Sequence, residues 1–180
     1  VLGGSYNKYS GQDYGNIIWA QYSSNGAFNH QYYWNKAEKY DHNLYLKSNY
    51  QFSTKTNMYA DLQRRKIDYT FEGRDENGDL AEQNIKFIFY NPKIGFFHSI
   101  SNNQSLYISH AVANREPNRN DYVESTPISR PKHETLHDTE LGYKFTSSKL
   151  NFSVNLYQMN YNNQLVLTGQ INDVGANTRK

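Results

Sequence analysis

The chain has 180 residues, a formal charge of +2 from 19 Lys and Arg against 17 Asp and Glu, and no cysteine. That charge makes no electrostatic case for nucleic acid, and the lack of cysteine excludes a disulfide frame or a cysteine-built metal site. No apolar run approaches the roughly 20 residues of a membrane-spanning helix, and mean hydropathy is low at −0.92. Against this polar background stand 17 Tyr and 9 Phe, and a Tyr- and Asn-rich, helix-poor composition points to β structure.

Along the chain the dominant signal is a period of two. After a long polar stretch over residues 23–39, Leu44, Leu46, Tyr50 and Phe52 fall opposite Asn43, Tyr45, Lys47, Asn49 and Gln51. Ser53 to Thr56 is a short polar joint. Met58, Ala60 and Leu62 then oppose Tyr59, Asp61, Gln63 and Arg65. A second long polar stretch, 73–84, precedes a strand-like run from Ile85 to Ile100. Its apolar phase moves from Phe87 and Phe89 to Ile94 and Phe96 across Asn91-Pro92, which predicts a bulge or a local break in the ladder. Ser101 to Gln104 is the next short joint. Leu106, Ile108 and Val112 oppose Tyr107, Ser109, Ala111 and Ala113, with His110 on the apolar side.

A third long polar stretch, 114–131, leads to His-Glu-Thr-Leu-His at 133–137. This matches H-E-x-x-H, which on a helix would place two imidazoles on zinc and Glu134 as general base. The extended motif wants Gly at 140 and His at 143, where this chain has Glu140 and Tyr143. After Glu140 the only acid left is Asp173. The alternative is a loop-to-strand junction with two surface histidines. Leu141, Tyr143 and Phe145 then oppose Glu140, Gly142 and Lys144. The third short joint, Thr146 to Lys149, precedes Leu150, Phe152, Val154 and Leu156 opposite Asn151, Ser153, Asn155 and Tyr157. The chain closes on a polar stretch, 168–178.

Short joints thus alternate with long ones, so an antiparallel meander would gather all short turns at one end. Outer-membrane barrels have that asymmetry, with alternating strands and aromatics near the interfaces. A soluble β-sandwich shares the alternation but turns its apolar side to a core. Both readings are open on pattern alone.

Several stretches carry a closer likeness. YNPKIGFFHSISNNQSLYISHAVANREPNRNDY (Tyr90–Tyr122), PKHETLHDTELGYKF (Pro131–Phe145) and LNFSVNLYQMNYNNQLVLTGQINDVG (Leu150–Gly175) follow one another in order, with YGNIIWAQY and NMYADLQRRKIDY upstream. Together they resemble the late barrel of TonB-dependent outer-membrane receptors. In that family segment the Glu-Thr-Leu core recurs and the flanking histidines vary, which makes the zinc motif an accident.

The resemblance implies an all-β, antiparallel up-and-down meander of about eight strands. It would form part of a large transmembrane β-barrel of the 22-strand class, spanning 1–180. The plug, the TonB-contacting box and the first strands are expected before Val1, and the closing strands after Lys180. It also implies active uptake in the outer membrane of a Gram-negative bacterium, of a scarce nutrient such as a ferric siderophore, haem, cobalamin or glycan. Expected partners are the TonB complex through the missing plug, outer-membrane lipid and lipopolysaccharide, and a small-molecule or glycan cargo. No catalytic residue, cofactor, metal ligand or nucleic acid is expected. The external-loop candidates for cargo contact are Tyr32, Tyr33 and Trp34, whose rings could stack on sugars or chelates, and Arg115 and Arg119, which could grip an anion. Interface aromatics and a loop salt bridge are the structural alternatives. Lys47, Asp61, Gln63, Arg65 and Glu140 are expected to solvate the lumen or meet the plug. Other readings are a non-transport barrel or adhesin and a soluble carbohydrate-binding sandwich.

Overall fold

The computed structural model describes residues 1–22, 29–74, 82–123, 125, 130–164, 166–171 and 177–179, with backbone alone for 123, 167–171 and 177–179. Part of each of the four long polar stretches lies outside the described residues. In chain order the elements are β1 (Leu2–Ile17), β2 (His30–Gln51), β3 (Thr56–Arg74), β4 (Gln83–Ser101), β5 (Gln104–Arg115), the short helix α1 (Arg119–Val123), β6 (Glu134–Thr146), β7 (Asn151–Asn162), β8 (Leu167–Ile171) and β9 (Asn177–Arg179). Strands β1 to β7 form one sheet in sequential order, and β8 pairs with β9 separately. The polar stretch 168–178 was expected to be loop; its ends instead pair as this hairpin.

All three short joints are turns, and each is led by a serine. The Ser53 hydroxyl accepts from the N–H groups of Lys55 and Thr56 at 3.1 Å. Ser147 accepts from Leu150 N–H at 3.0 Å, and Ser101 from Asn103 N–H at 3.3 Å. A hydroxyl that mimics a backbone acceptor closes the turn locally and fixes the register beyond it.

The strands divide between two compact units, one of Val1–Gly4, Leu44–Arg64 and Phe89–Lys180, the other of Ser5–Asn43 and Arg65–Ile88. In the first, the register aligns the predicted apolar positions side by side. Phe96 lies opposite Ile108, Ile108 opposite Leu141, and Leu141 opposite Leu156. Phe145 lies opposite Phe152 near the short turns, where Tyr50 and Phe52 also meet edge to face at 4.7 Å. No sheet covers this face. Leu44, Leu46, Leu62, Ile94, Phe96, Leu106, Ile108, Leu141, Val154 and Leu156 are all between 37% and 61% exposed. A sandwich would have buried them, so that reading fails for this unit.

The apolar band also has a slope. The hydrogen bonds Phe52 N–H to Thr56 O and Ser99 N–H to Lys55 O extend the register across β2, β3 and β4. Carried to β7, the row of Leu44 reaches Asn162, whereas the last outward apolar residue there is Leu156. A drop of about six residues over five strand steps, at about 3.3 Å rise and about 4.8 Å spacing, is a tilt of about 40°, inside the range of transmembrane barrels.

At Asn91-Pro92 β4 continues as one strand of 19 residues, and its register with β5 runs from Lys93, opposite Ala111, to a shift at Ser99–Ser101. Next to Pro92, which has no N–H, the Asn91 side chain accepts the backbone N–H of Asn114 at 3.0 Å, and the Asn114 side chain donates to Tyr90 O at 3.1 Å.

In the second unit the pattern inverts. Odd-numbered Ala37, Ile67, Phe71 and Ile85 are buried, Ile67 and Phe71 completely. Even-numbered positions are polar: Lys66 pairs with Asp68 at 2.8 Å, and Lys8 lies over the Tyr40 ring. A strand crosses a bilayer in 9–11 residues, and β2 has 22. The second unit, with its buried apolar residues at odd positions, is patterned as a soluble protein is.

Adjacent residues test the face assignment. Phe96→Arg should destabilise the assembled barrel by about 2–4 kcal/mol, and Phe97→Arg, on the opposite face, by no more than about 1 kcal/mol. Denaturant titration in lipid vesicles reads both.

Candidate functional site

The inward face of the first unit is polar and tightly fitted. Lys47 and Asp61 pair at 3.3 Å between β2 and β3. The amide of Asn91 donates to Gln63 Oε1 at 2.8 Å. Tyr107 OH lies 3.4 Å from carboxylate and amide oxygens of Glu140 and Asn155. Three tyrosines on this face lie over glycines of the next strand: Tyr45 over Gly3, Tyr59 over Gly95, and Tyr107 over Gly142. A Cβ at any of these glycines would run into the ring. Sequence reasoning passed over these pairs, although isolated glycines within alternating strands are the signal for such close approach. In the second unit, Arg65 Nε lies 3.1 and 3.0 Å from the two carboxylate oxygens of Asp41. The expected inward polar residues Lys47, Asp61, Gln63, Arg65 and Glu140 are thus joined in local networks, each within its own unit.

The His-Glu-Thr-Leu-His stretch is not a helix. β6 begins at Glu134, which lies opposite Arg115, while His137 lies opposite Val112. The His133 ring packs near Phe89 at 5.3 Å, and the His137 ring stacks on His110 at 6.1 Å. Four residues along a strand separate two side chains by about 13 Å, so the imidazoles have different neighbours. Among the described residues no group of three His, Asp or Glu side chains could hold a metal ion.

Arg115 ends β5. With Glu116, Pro117, Asn118, Asp121, Lys132 and Glu134 it lines a pocket of about 40 Å³. That volume holds a water or two and excludes a chelate or sugar. Arg119 opens α1 and is engaged in a polar or electrostatic contact. Asn118 is the N-cap, and its own N–H donates to Asp121 at 2.7 Å, the backward half of a capping box. Tyr122 is 4% exposed. Burial first, then the nearby Glu116 carboxylate, push its phenol up to about 12. The Arg-Glu-Pro-Asn-Arg segment is therefore a folded knot, with Arg115 at its exposed edge.

Tyr32, Tyr33 and Trp34 were expected on a loop. They lie instead in the first residues of β2, because alternate aromatics pair readily with neighbouring strands. They do sit at the strand end that follows a long connection. Tyr32 and Trp34 are 44% and 43% exposed. Tyr33 is half-buried, meets Tyr32 edge-on at 5.0 Å, and lies over Gly15. Gly73, at φ 140°, brings β3 against the Trp34–Asn35 backbone, a conformation and a contact that a side chain would forbid. These aromatics belong to the second unit and the two arginines to the first.

A meander with an exposed, sloping apolar band, long strands and a polar opposite face defines an outer-membrane β-barrel protein. The family described as TonB dependent receptor-like, beta-barrel matches residues 1–179, and the chain belongs to it. Its class of function is accordingly TonB-dependent transport in the outer membrane of Gram-negative bacteria; this is a transporter and receptor family, not an enzymatic one. A search of curated proteins gave no match.

Two outcomes test the geometry. Gly142→Val displaces Tyr107 and should cost about 1–3 kcal/mol, whereas Gly142→Val with Tyr107→Ala should recover part of that loss, read by denaturant titration of the assembled barrel. The Tyr122 phenol is raised in the folded loop, so its contribution is full below about pH 10 and is lost as pH rises toward about 12. Spectrophotometric titration should show a late-ionising tyrosine component that shrinks by one group in Tyr122→Phe.

Proposed function

We propose that this chain is the barrel part of a receptor that takes up a scarce nutrient such as a ferric siderophore, haem, cobalamin or glycan. The observation that carries this reading is the family match over nearly the whole chain, joined to an exposed apolar band. A plug and a TonB-contacting segment upstream, with closing strands downstream, complete the receptor. TonB acts through the plug, and lipopolysaccharide surrounds the barrel. Cargo meets the exposed rings of Tyr32 and Trp34 at the end of β2, which favours a ligand with a flat apolar face, a sugar ring or an aromatic chelate. Arg115 adds a cation at the edge of its loop, where a phosphate or carboxylate could pair with it. Arg119 serves the loop itself.

The test is uptake by cells that carry the complete receptor gene, its deletion, or a TonB defect. Uptake of one of the four cargo classes should be lost in both defective strains. Trp34→Ala should weaken cargo binding by about ten- to thirtyfold, the cost of truncating an aromatic anchor. Cargo binding that persists with no TonB-dependent uptake would convert the reading to a non-transport barrel or adhesin. Uptake unchanged by the deletion would refute it.

A further inference from the structure

On the outward face of the first unit lies a groove of about 430 Å³, lined by Leu46, Ser48, Ala60, Leu62, Pro92 and Ile94 together with Asp61 and Lys93, with His110 at one end. Its origin is local. The register set by the β2–β3 turn puts Ser48 opposite Ala60, and the bond from Ser99 to Lys55 puts Ala60 opposite Ile94. Two small side chains thus stand side by side in a face built mostly of larger apolar residues. The next row toward the short turns is large, with Tyr50, Met58 and Phe96. The result is a trough across the strands.

The slope of the apolar band sets the depth of each end. On β2, Leu44 continues the apolar face beyond Leu46, so the Leu46–Ser48 end is within the hydrocarbon. On β3, Leu62 is the last apolar outward position before Arg64. On β5, His110 interrupts the apolar side between Ile108 and Val112. With the slope of the band, the groove climbs from the hydrocarbon at Leu46 toward the upper edge of the band at His110. At that upper end His110 is held by Thr139, with Nδ1 and Oγ1 2.9 Å apart, and backed by the stacked His137 ring. The Nε2 atom is then the ring's remaining polar group, and in the tautomer or charge state that protonates it, it donates to an anion.

We propose that this groove seats one acyl chain of lipopolysaccharide, with a headgroup phosphate received by His110. The inference rests on the outer-membrane reading of the chain. The occupant follows from two things: a mostly apolar lining continuous with the lipid-facing band, and a course that runs from tail depth toward the level of His110. An ordered chain fills a recess that bulk lipid would bridge, gaining dispersion contacts along the trough.

The test places a photo-crosslinking amino acid at Ser48, and at Leu156 as a control outside the groove, in the complete receptor in its native membrane. Lipopolysaccharide adducts should be about tenfold more abundant at Ser48, a preference equivalent to a few methylenes gained from a fitted contact. Ala60→Trp fills the trough and should lower copurified lipopolysaccharide by a similar factor, while Ala60→Ser retains it. His110→Ala should lower it about two- to tenfold, the loss of one hydrogen bond to a charged group. Equal adducts at the two positions, or phospholipid adducts alone at Ser48, would overturn the proposal while leaving the outer-membrane assignment intact. No lipid adduct at either position would overturn both. If Ala60→Trp fails to assemble, the ratio between Ser48 and Leu156 in the otherwise unchanged receptor still decides.

Discussion

Everything in this chain depends on the antiparallel ladder between neighbouring strands. In hydrocarbon a backbone N–H or C=O has no water to turn to, and an unpaired group costs several kcal/mol. Pairing must therefore be continuous from strand to strand, and each register then decides which side chains meet lipid. A one-residue slip would exchange the faces and put Lys144, Glu140 and Lys93 outward. The serine-led turns guard against that slip at one end. Where the sequence itself interrupts the ladder, at Pro92, the Asn91 and Asn114 side chains take over the pairing. The chain can thus keep a proline in a long strand without leaving an orphaned donor beside it.

The ladder also lets one strand serve two environments. β3 turns Met58, Ala60 and Leu62 to one side, then buries Ile67 and Phe71 on the other. β4 does the same between Phe96 and Phe89. Along β3 the apolar residues move from even to odd positions, and Lys66 and Asp68 take the even ones.

Much of this was legible in the sequence because a period of two is a direct consequence of strand geometry. The apolar positions of β2, β3, β5, β6 and β7 and the three short turns all follow from it. The phase change across Asn91-Pro92 was visible too. The loop assignment of Tyr32–Trp34 failed because polar neighbours masked a strand whose even side faces water. The Tyr–Gly pairs escaped because they join residues 35 to 42 positions apart, and only register brings them together. The groove at Ser48 and Ala60 was hidden for the same reason: each is an ordinary small residue until the turn places them opposite one another.

The His-Glu-Thr-Leu-His stretch shows how completely geometry governs chemistry at fixed composition. On a helix, four residues advance about 6 Å and return to the same face, so two imidazoles can share one ion. On a strand the same four residues advance about 13 Å, again on one face, and no single ion reaches both. What selects the strand here is the company the segment keeps. Thr135, His137 and Thr139 alternate with Leu136, Asp138 and Glu140, and each faces a partner on β5 and on β7. A helix at this position would strip both neighbours of their ladder over the length of the segment. The cost of those lost hydrogen bonds in a bilayer far exceeds what helical propensity could return, so the motif is held in the one conformation in which it cannot act as a metal site.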